Sequence, residues 1–314
     1  MNKTRSRIKI LTSKKKLTIA RWLQRIIMIW RRLFGKRYET QVVRGGIRWQ
    51  IDLHEGIDFG IFFFGVFEYL TTGAYKKIVK SDSVVVDIGA NLGAHVLRLA
   101  KLVGDGGRVI AIEPTDYAFS KLQANLALNP QLSLRVLPIQ AFLGANSSDD
   151  PPASLYAKWP LSPGEDSHED HYGKLADVGV METRTLDNLL SELNPGKIDF
   201  MKIDVDGYEA KILQGSERIL KNDRPIIILE LAPSCLRECG SSVEELLEVL
   251  VGNDYELLDI VCRKPLPKEA ESLENILAQG SSCNILAWPS ELFNRDQSPD
   301  TASSPVKKIY GSLS

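Results

Sequence analysis

The sequence predicts an α/β fold: an open, doubly wound, mostly parallel sheet with helices on both faces. Three observations predict it. From about residue 81 onward, short apolar runs rich in Val and Ile alternate with stretches of helical spacing, as strands joined by crossover helices do. The run Ser83-Val-Val-Val-Asp-Ile-Gly-Ala-Asn-Leu-Gly93 ends in an acid and a Gly/Asn turn from which a helix starts. The run Val109-Ile-Ala-Ile-Glu-Pro114 completes a strand–helix–strand unit and ends in a second acid.

In chain order, the first element is a basic arm. Residues 1–40 hold thirteen Lys and Arg against the single acid Glu39, so a net charge of −1 over 314 residues conceals +12 here and −13 over the remaining 274. Within 17–34 the apolar residues Ile19, Trp22, Leu23, Ile26, Ile27, Trp30, Leu33 and Phe34 recur at helical spacing, with Arg21, Arg25, Arg32 and Lys36 assigned to the opposite face. Arginines interrupt every apolar run well short of the roughly 18–20 residues that a spanning helix needs. No small-residue cleavage pattern marks a signal peptide. A basic amphipathic helix with two tryptophans suits peripheral membrane contact through residues 14–37. The ordinary alternative is a helix packed on the domain with its basic face solvated. Nucleic acid is not an expected partner, because no RNA- or DNA-binding pattern follows the basic residues.

Residues 41–80 read as a hairpin and helical cap. Strand residues flank Gly45-Gly46, and Phe59, Phe62, Phe63, Phe64, Phe67 and Tyr69 lead into a helical stretch. Residues 81–293 form the main domain. Strands are expected at 84–88, 108–112, 134–139, 198–204, 225–231, 255–261 and 284–288, and helices at 92–103, 117–128, 208–220 and 243–251. Pro, Ser, Gly, Asp and His break the pattern over 146–179, which reads as a long surface loop. The Ser/Pro/Asp-rich residues 294–314 are expected to be a disordered tail. A hydrophobic content of 44% with 25% charged residues suits a globular chain with a full core. Cys235, Cys239, Cys262 and Cys283 show neither paired CxxC spacing nor a histidine cluster, which argues against a zinc module or disulfide framework and for a reducing, cytoplasmic compartment.

The turn chemistry narrows the ligand. Gly89 permits a sharp turn and close approach because it lacks a Cβ, Asn91 tolerates the left-handed region, and Gly93 lets the next helix pack tightly. A dinucleotide site offers amides and a helix N-terminus to a pyrophosphate, and Asp87 at the strand end would repel that group. The same carboxylate suits the cationic amino group and sulfonium of S-adenosylmethionine. Glu113, acceptor-only when ionised, suits the two ribose hydroxyls. Asp87 and the missing third glycine disfavour a nucleotide-dependent oxidoreductase. The remaining alternatives are glycines that serve packing alone, and a membrane-peripheral binding protein that keeps the fold without catalysis.

Several segments together resemble the FkbM family of S-adenosylmethionine-dependent methyltransferases: Val85-Val-Asp-Ile-Gly-Ala-Asn-Leu-Gly93, Val109-Ile-Ala-Ile-Glu-Pro114, Leu122-Gln-Ala-Asn-Leu-Ala-Leu-Asn129, Arg184-Thr-Leu-Asp187, Ile198-Asp-Phe-Met-Lys-Ile-Asp-Val-Asp-Gly207 with Glu209, Leu213-Gln-Gly-Ser216 and Arg224-Pro-Ile-Ile-Ile-Leu-Glu230. The resemblance covers roughly residues 65–288. It implies a class I methyltransferase fold, Rossmann-like with an antiparallel last strand, and O-methylation of a hydroxyl on a small-molecule, natural-product, glycan or lipid-linked acceptor. Asp206 departs from the family's usual Glu, and Ala94-His95 from its aromatic and hydroxyl residues. Glu68 matches a family position and joins Asp87, Gly89, Asn91, Gly93, Glu113 and Pro114 as a candidate for holding the cofactor.

Methyl transfer to a hydroxyl needs alignment and a proton acceptor. Asp204 and Asp206 flank a strand end that faces the transfer site, and Asp204 is the preferred base. Asp206 before Gly207 is also readable as a helix N-cap. Lys202 points either to a partner acid or to the site. His95 is a third candidate base, although a helix-surface histidine is the more ordinary reading. His54 and Glu55 are candidates for the substrate mouth. Asp166, His168, Glu169, Asp170 and His171 have metal-ligand character, but in an acidic loop such residues are more often solvated, and no metal is expected.

Overall fold

The computed structural model describes residues 13–161, 173–260, 264–277 and 281–297. A helix, α1 (Ser13–Leu33), is followed by an antiparallel hairpin, β1 (Glu39–Arg44) and β2 (Ile47–Asp52), and by two short helices, α2 (Gly56–Phe64) and α3 (Tyr69–Ile78). The main domain opens with β3 (Val84–Ile88), α4 (Val96–Val103), β4 (Arg108–Ile112), α5 (Asp116–Ala127), α6 (Pro130–Ser133) and β5 (Val136–Ile139). A crossing segment follows, made of β6 (Phe142–Leu143), β7 (Ser154–Lys158), β8 (Lys174–Asp177) and β9 (Thr183–Arg184). The second half runs α7 (Leu186–Leu193), β10 (Phe200–Ile203), α8 (Glu209–Gln214), a π-helical turn (Ile219–Asp223), β11 (Ile226–Leu231), α9 (Pro233–Glu238) and α10 (Val243–Gly252). It ends with β12 (Tyr255–Asp259), α11 (Ala270–Glu274), β13 (Cys283–Pro289) and α12 (Ser290–Gln297).

Seven strands form the central sheet in the order β12-β13-β11-β10-β3-β4-β5. β13 is antiparallel to both neighbours, and the pairings from β11 to β5 are parallel. The chain winds outward from β3 to β5 and then returns to lay β10 on the other side of β3. The carboxyl ends of β3 and β10 therefore flank the switch point where open α/β sheets take their ligands.

Strand alternation builds a core on each face of the sheet. Val85, Val109, Phe200 and Ile228 face a layer made of α3, α4 and the inner side of β2 (Ile47, Trp49, Ile51). Val86, Ile110, Met201 and Ile227 face α7, α8 and α10. Two asparagines of α5 and its C-terminus pin the hairpin to the domain. Asn125 Oδ1 accepts from the Gln50 amide at 2.8 Å while its Nδ2 donates to the Leu92 carbonyl at 3.0 Å. Asn129 Oδ1 accepts from the Arg48 amide at 2.9 Å and Nδ2 donates to the Arg48 carbonyl at 2.7 Å.

Four expectations need correction. The helix after the glycine turn starts at Val96, not 92, because Asn91 and Gly93 hold φ of +45° and +91° and keep the chain out of the helical region. The helix expected over 208–220 stops at Gln214, since a Cβ on Gly215 would lie 2.4 Å from the Gly144 carbonyl oxygen, so the chain ends its turn against the crossing segment. The segment 146–179 is not all loop: β7 and β8 pair antiparallel across it, with 162–172 outside the described residues. Helix α12 extends to Gln297, into the segment expected to lack structure.

Candidate functional site

One cavity of about 1130 Å³ lies over the carboxyl ends of the central strands. Its lining includes Glu68, Gly89, Asn91, His95, Glu113, Pro114, Lys202, Asp204, Asp206 and Glu230, and on its far side Ala20 and Leu23 of α1.

The β3–β4 side is fixed by backbone. Gly89 has φ of +79°, and a Cβ there would stand 1.8 Å from the Asp204 carbonyl oxygen. The chain following the neighbouring strand β10 thus makes a close approach that by itself demands glycine. Gly93, at +91°, would press a Cβ to 2.8 Å from Leu122 of α5, so it serves helix packing as expected. Asn91 adopts the left-handed conformation, with Oδ1 accepting from the Leu92 amide at 2.8 Å and Nδ2 donating to the Ala157 carbonyl of β7 at 3.3 Å. Glu113 is buried, and three donors orient it: the Asn91 amide to Oε2 at 3.0 Å, and the Thr115 amide (3.0 Å) and hydroxyl (2.6 Å) to Oε1. Of the roughly four acceptor positions on a carboxylate, one remains on Oε2, where a ribose hydroxyl would bind. Burial pushes the Glu113 carboxyl up, against its donors.

Asp87 is different. It is buried, and neither carboxylate oxygen has a hydrogen-bond partner among the described residues. Burial pushes its carboxyl up, and Lys202 pulls it back only in part. An orphaned buried carboxylate calls for a cation or a donor, and the amino group and sulfonium of S-adenosylmethionine supply one. The residues present fit that cofactor.

The β10–β11 side is a crowd of acids around one lysine. Parallel register sets Lys202 opposite Asp87, so both side chains project to the same face. Lys202 is buried, and its Nζ meets Asp204 Oδ2 at 2.7 Å, which resolves its orientation toward the partner acid. Burial lowers the ammonium, but Asp204, Asp87 and Glu68 outweigh it and hold Lys202 above the ordinary lysine value. Asp206 (φ +49°) does not cap a helix: α8 begins with Tyr208 at its N-cap and no side chain fills that role. Glu209 instead accepts from the amides of Val205 and Gly207, each at 3.1 Å, and closes the 204–207 turn. Burial, then Asp204, push the carboxyls of Asp206 and Glu230 well up. Burial likewise raises Glu209 to about 7.

His95 is buried rather than on the helix surface. Its Nε2 lies 3.4 Å from Glu68 Oε2, a charge contact rather than a made hydrogen bond, and Nδ1 lies 3.4 Å from the Tyr75 hydroxyl. Burial raises Glu68, but His95, Lys202 and the Asn284 amide bring it down to about 2. His54 and Glu55 are absent from the lining. His54 pairs with Asp52 at 2.8 Å, and Glu55 Oε2 accepts from the Trp159 amide at 2.8 Å, tying the β7–β8 segment to the cap. Asp166, His168, Glu169, Asp170 and His171 lie outside the described residues. Among the described residues no group of three or more His, Cys, Asp or Glu is arranged to hold a metal ion. Sequence reasoning passed over Tyr208, which lines the cavity two residues beyond Asp206, and Tyr75, which reaches His95 only through the packing of α3.

A family profile described as Methyltransferase FkbM domain matches residues 87–257, more than half of the chain. The chain is 28% identical over 193 residues to methyltransferase sdnD of Sordaria araneosa, a match that covers 54% of this chain and 73% of that protein. It is 26% identical over 151 residues to hexuronic acid methyltransferase AglP of Haloferax volcanii, covering 48% of this chain and 56% of that protein. Among solved structures, methyltransferase FkbM from Methylobacillus flagellatus KT aligns with a TM-score of 0.38 at 17% identity, covering 66% of this chain and 44% of that one.

Proposed function

Because the chain belongs to the FkbM methyltransferase domain family, we propose that it methylates a hydroxyl on a sugar, glycolipid or natural-product acceptor. The observation that supports this most is the meeting of Glu113, Asp204 and Glu230, each at or next to a strand's carboxyl end, in the lining of a cavity that Lys202 also lines, with Asp87 buried beside Lys202 in the adjoining strand. S-adenosylmethionine, the methyl donor, presents its methyl on a positively charged sulfur. Asp87 and Glu113 hold the donor by its cationic groups and its ribose, with Glu68 as a further acid in the cavity lining. Lys202 occupies Asp204 Oδ2, and Oδ1 is the oxygen left to take the acceptor's proton as its oxygen attacks. Asp206 and Glu230 line the same cavity and offer carboxyl oxygens to neighbouring acceptor hydroxyls. A polyhydroxylated acceptor is consistent with such a wall of acids, and one relative's name includes a hexuronic acid.

The test of the proton acceptor is Asp204→Asn. We expect unchanged calorimetric affinity for S-adenosylhomocysteine and loss of turnover by about 10²-fold or more. A near-normal rate would assign the proton elsewhere, with His95 and Asp206 next in line. The acceptor itself is reached by mass spectrometry of extracts from a deletion strain, seeking a metabolite lighter by one methyl group.

A further inference from the structure

Helix α1 has two apolar faces. The inner face, Ala20, Leu23, Ile27 and Met28, packs against the core. Gln24 donates to the Leu53 carbonyl at 2.6 Å, and Arg21, expected on a solvated basic face, turns inward to donate to the Leu161 carbonyl at 2.7 Å. The outer face should then be polar, as on an ordinary surface helix. It is not. Trp22, Ile26, Ile29, Trp30 and Leu33 are 39% to 75% exposed, and at the helical repeat they share an arc of about 100°. Phe34 continues this face, with its ring stacked on Trp30 at 4.9 Å between centroids. Exposed Arg25 and Arg32 border the arc, and Lys36 and Arg37 follow it.

A second exposed apolar tip stands at the α2–α3 bend, formed by Phe63, Phe64, Tyr69 and Leu70. Phe64 and Tyr69 line the same cavity as Ala20 and Leu23. The α2–α3 tip therefore borders the cavity directly, and the exposed arc of α1 lies behind the inner face that lines it. No single helix among the described residues is long and apolar enough to cross a membrane. Contiguous exposed apolar surface of this kind marks an interaction site, and its composition selects the partner. Tryptophans flanked by arginines match the headgroup layer of a bilayer that carries negative charge. A second copy of the chain would instead set one arm of thirteen basic residues against another.

We propose that this surface docks on an anionic lipid bilayer with the cavity opening toward it, and that the methyl acceptor is therefore a hydroxyl on a lipid headgroup or a lipid-linked glycan. The substrate clause rests on the methyltransferase reading above, whereas the docking clause stands without it. The test sediments the full-length protein with vesicles of phosphatidylcholine and phosphatidylglycerol in equal parts, and with vesicles of phosphatidylcholine alone. Uptake by the anionic vesicles is expected, about tenfold stronger than by the neutral ones. Trp22→Ala with Trp30→Ala, and separately Arg25→Gln with Arg32→Gln, should each weaken it by about tenfold. Unchanged S-adenosylhomocysteine affinity in both variants reports that they are folded. The proposal is overturned by absence of wild-type uptake, by uptake that neither variant weakens, or by self-association without uptake that the tryptophan variant abolishes. Vesicle uptake by a wild-type protein that fails to bind S-adenosylhomocysteine would remove the methyltransferase reading and leave the dock in place.

Discussion

The two sides of the cavity hold their charges by opposite means. On the β3–β4 side, Glu113 is oriented by amides and by Thr115, and Gly89 and Asn91 set the backbone that presents those amides. On the β10–β11 side, Asp204, Asp206, Glu209 and Glu230 crowd together, and Lys202 is the cation buried among them. The first side is a socket whose one carboxylate is held by three donors on a backbone fixed by positive φ at Gly89 and Asn91. The second is an electrostatic cluster whose state depends on pH and on what lies beside it. Binding geometry and proton handling are thus divided across the switch point of one sheet.

The comparison breaks most sharply at Gly89. Gly89→Ala places a Cβ against the Asp204 carbonyl and keeps a residue at φ +79°, so we expect a loss above about 4 kcal/mol in urea unfolding, or no folding. Gly93→Ala meets only the end of the Leu122 side chain and should cost about 1–3 kcal/mol. Equal costs would deny that the strand-to-strand approach sets the turn. Next comes Lys202→Met, which strands Asp87, Asp204 and Glu68 without their buried cation. A deficit of about 3–5 kcal/mol is expected near neutral pH, shrinking on acidification as the acids take up protons. A deficit independent of pH would mean that packing, not charge, is what Lys202 provides.

Glu113→Gln separates the sides by ligand affinity. It sets an amide N–H against the Asn91 amide or the Thr115 donors and removes an acceptor for the ribose hydroxyls, so S-adenosylhomocysteine should bind at least about tenfold more weakly, near 1.4 kcal/mol. Asp204→Asn should leave that affinity alone. The smallest effect belongs to Glu209. Its carboxyl titrates at about 7 rather than the ordinary 4.5. A group that holds its proton more tightly when folded contributes stability that is complete below the unfolded value and is lost as pH rises through the folded one. Wild-type melting temperature should therefore fall between about pH 4.5 and 7, and Glu209→Gln should flatten part of that decline.

The socket was largely legible in the sequence. Strands 84–88 and 108–112 have their expected bounds because they are buried on both faces and read as unbroken apolar runs. Asn91 was legible through its tolerance of positive φ. The reason for Gly89 was not, because the atom it avoids belongs to a residue 115 positions later in the chain. The acid cluster was legible as a set of strand-end residues, and Glu209 stood in the same motif, its turn-closing bonds spanning only two and four residues. The burial of His95, by contrast, is a tertiary fact without a local signal. The β7–β8 pair was hidden because its strands are half-exposed and lie among Pro, Ser and Gly. In α1 the helical repeat was visible, but which of two apolar faces meets the core depended on contacts with Leu53 and Leu161.

The unpartnered oxygens of Asp87 carry a calorimetric consequence. Burial pushes the Asp87 carboxyl up and Lys202 draws it down, and a docked cation would draw it down further. Calorimetric affinity for the donor should therefore rise with pH, and Asp87→Asn should weaken that dependence.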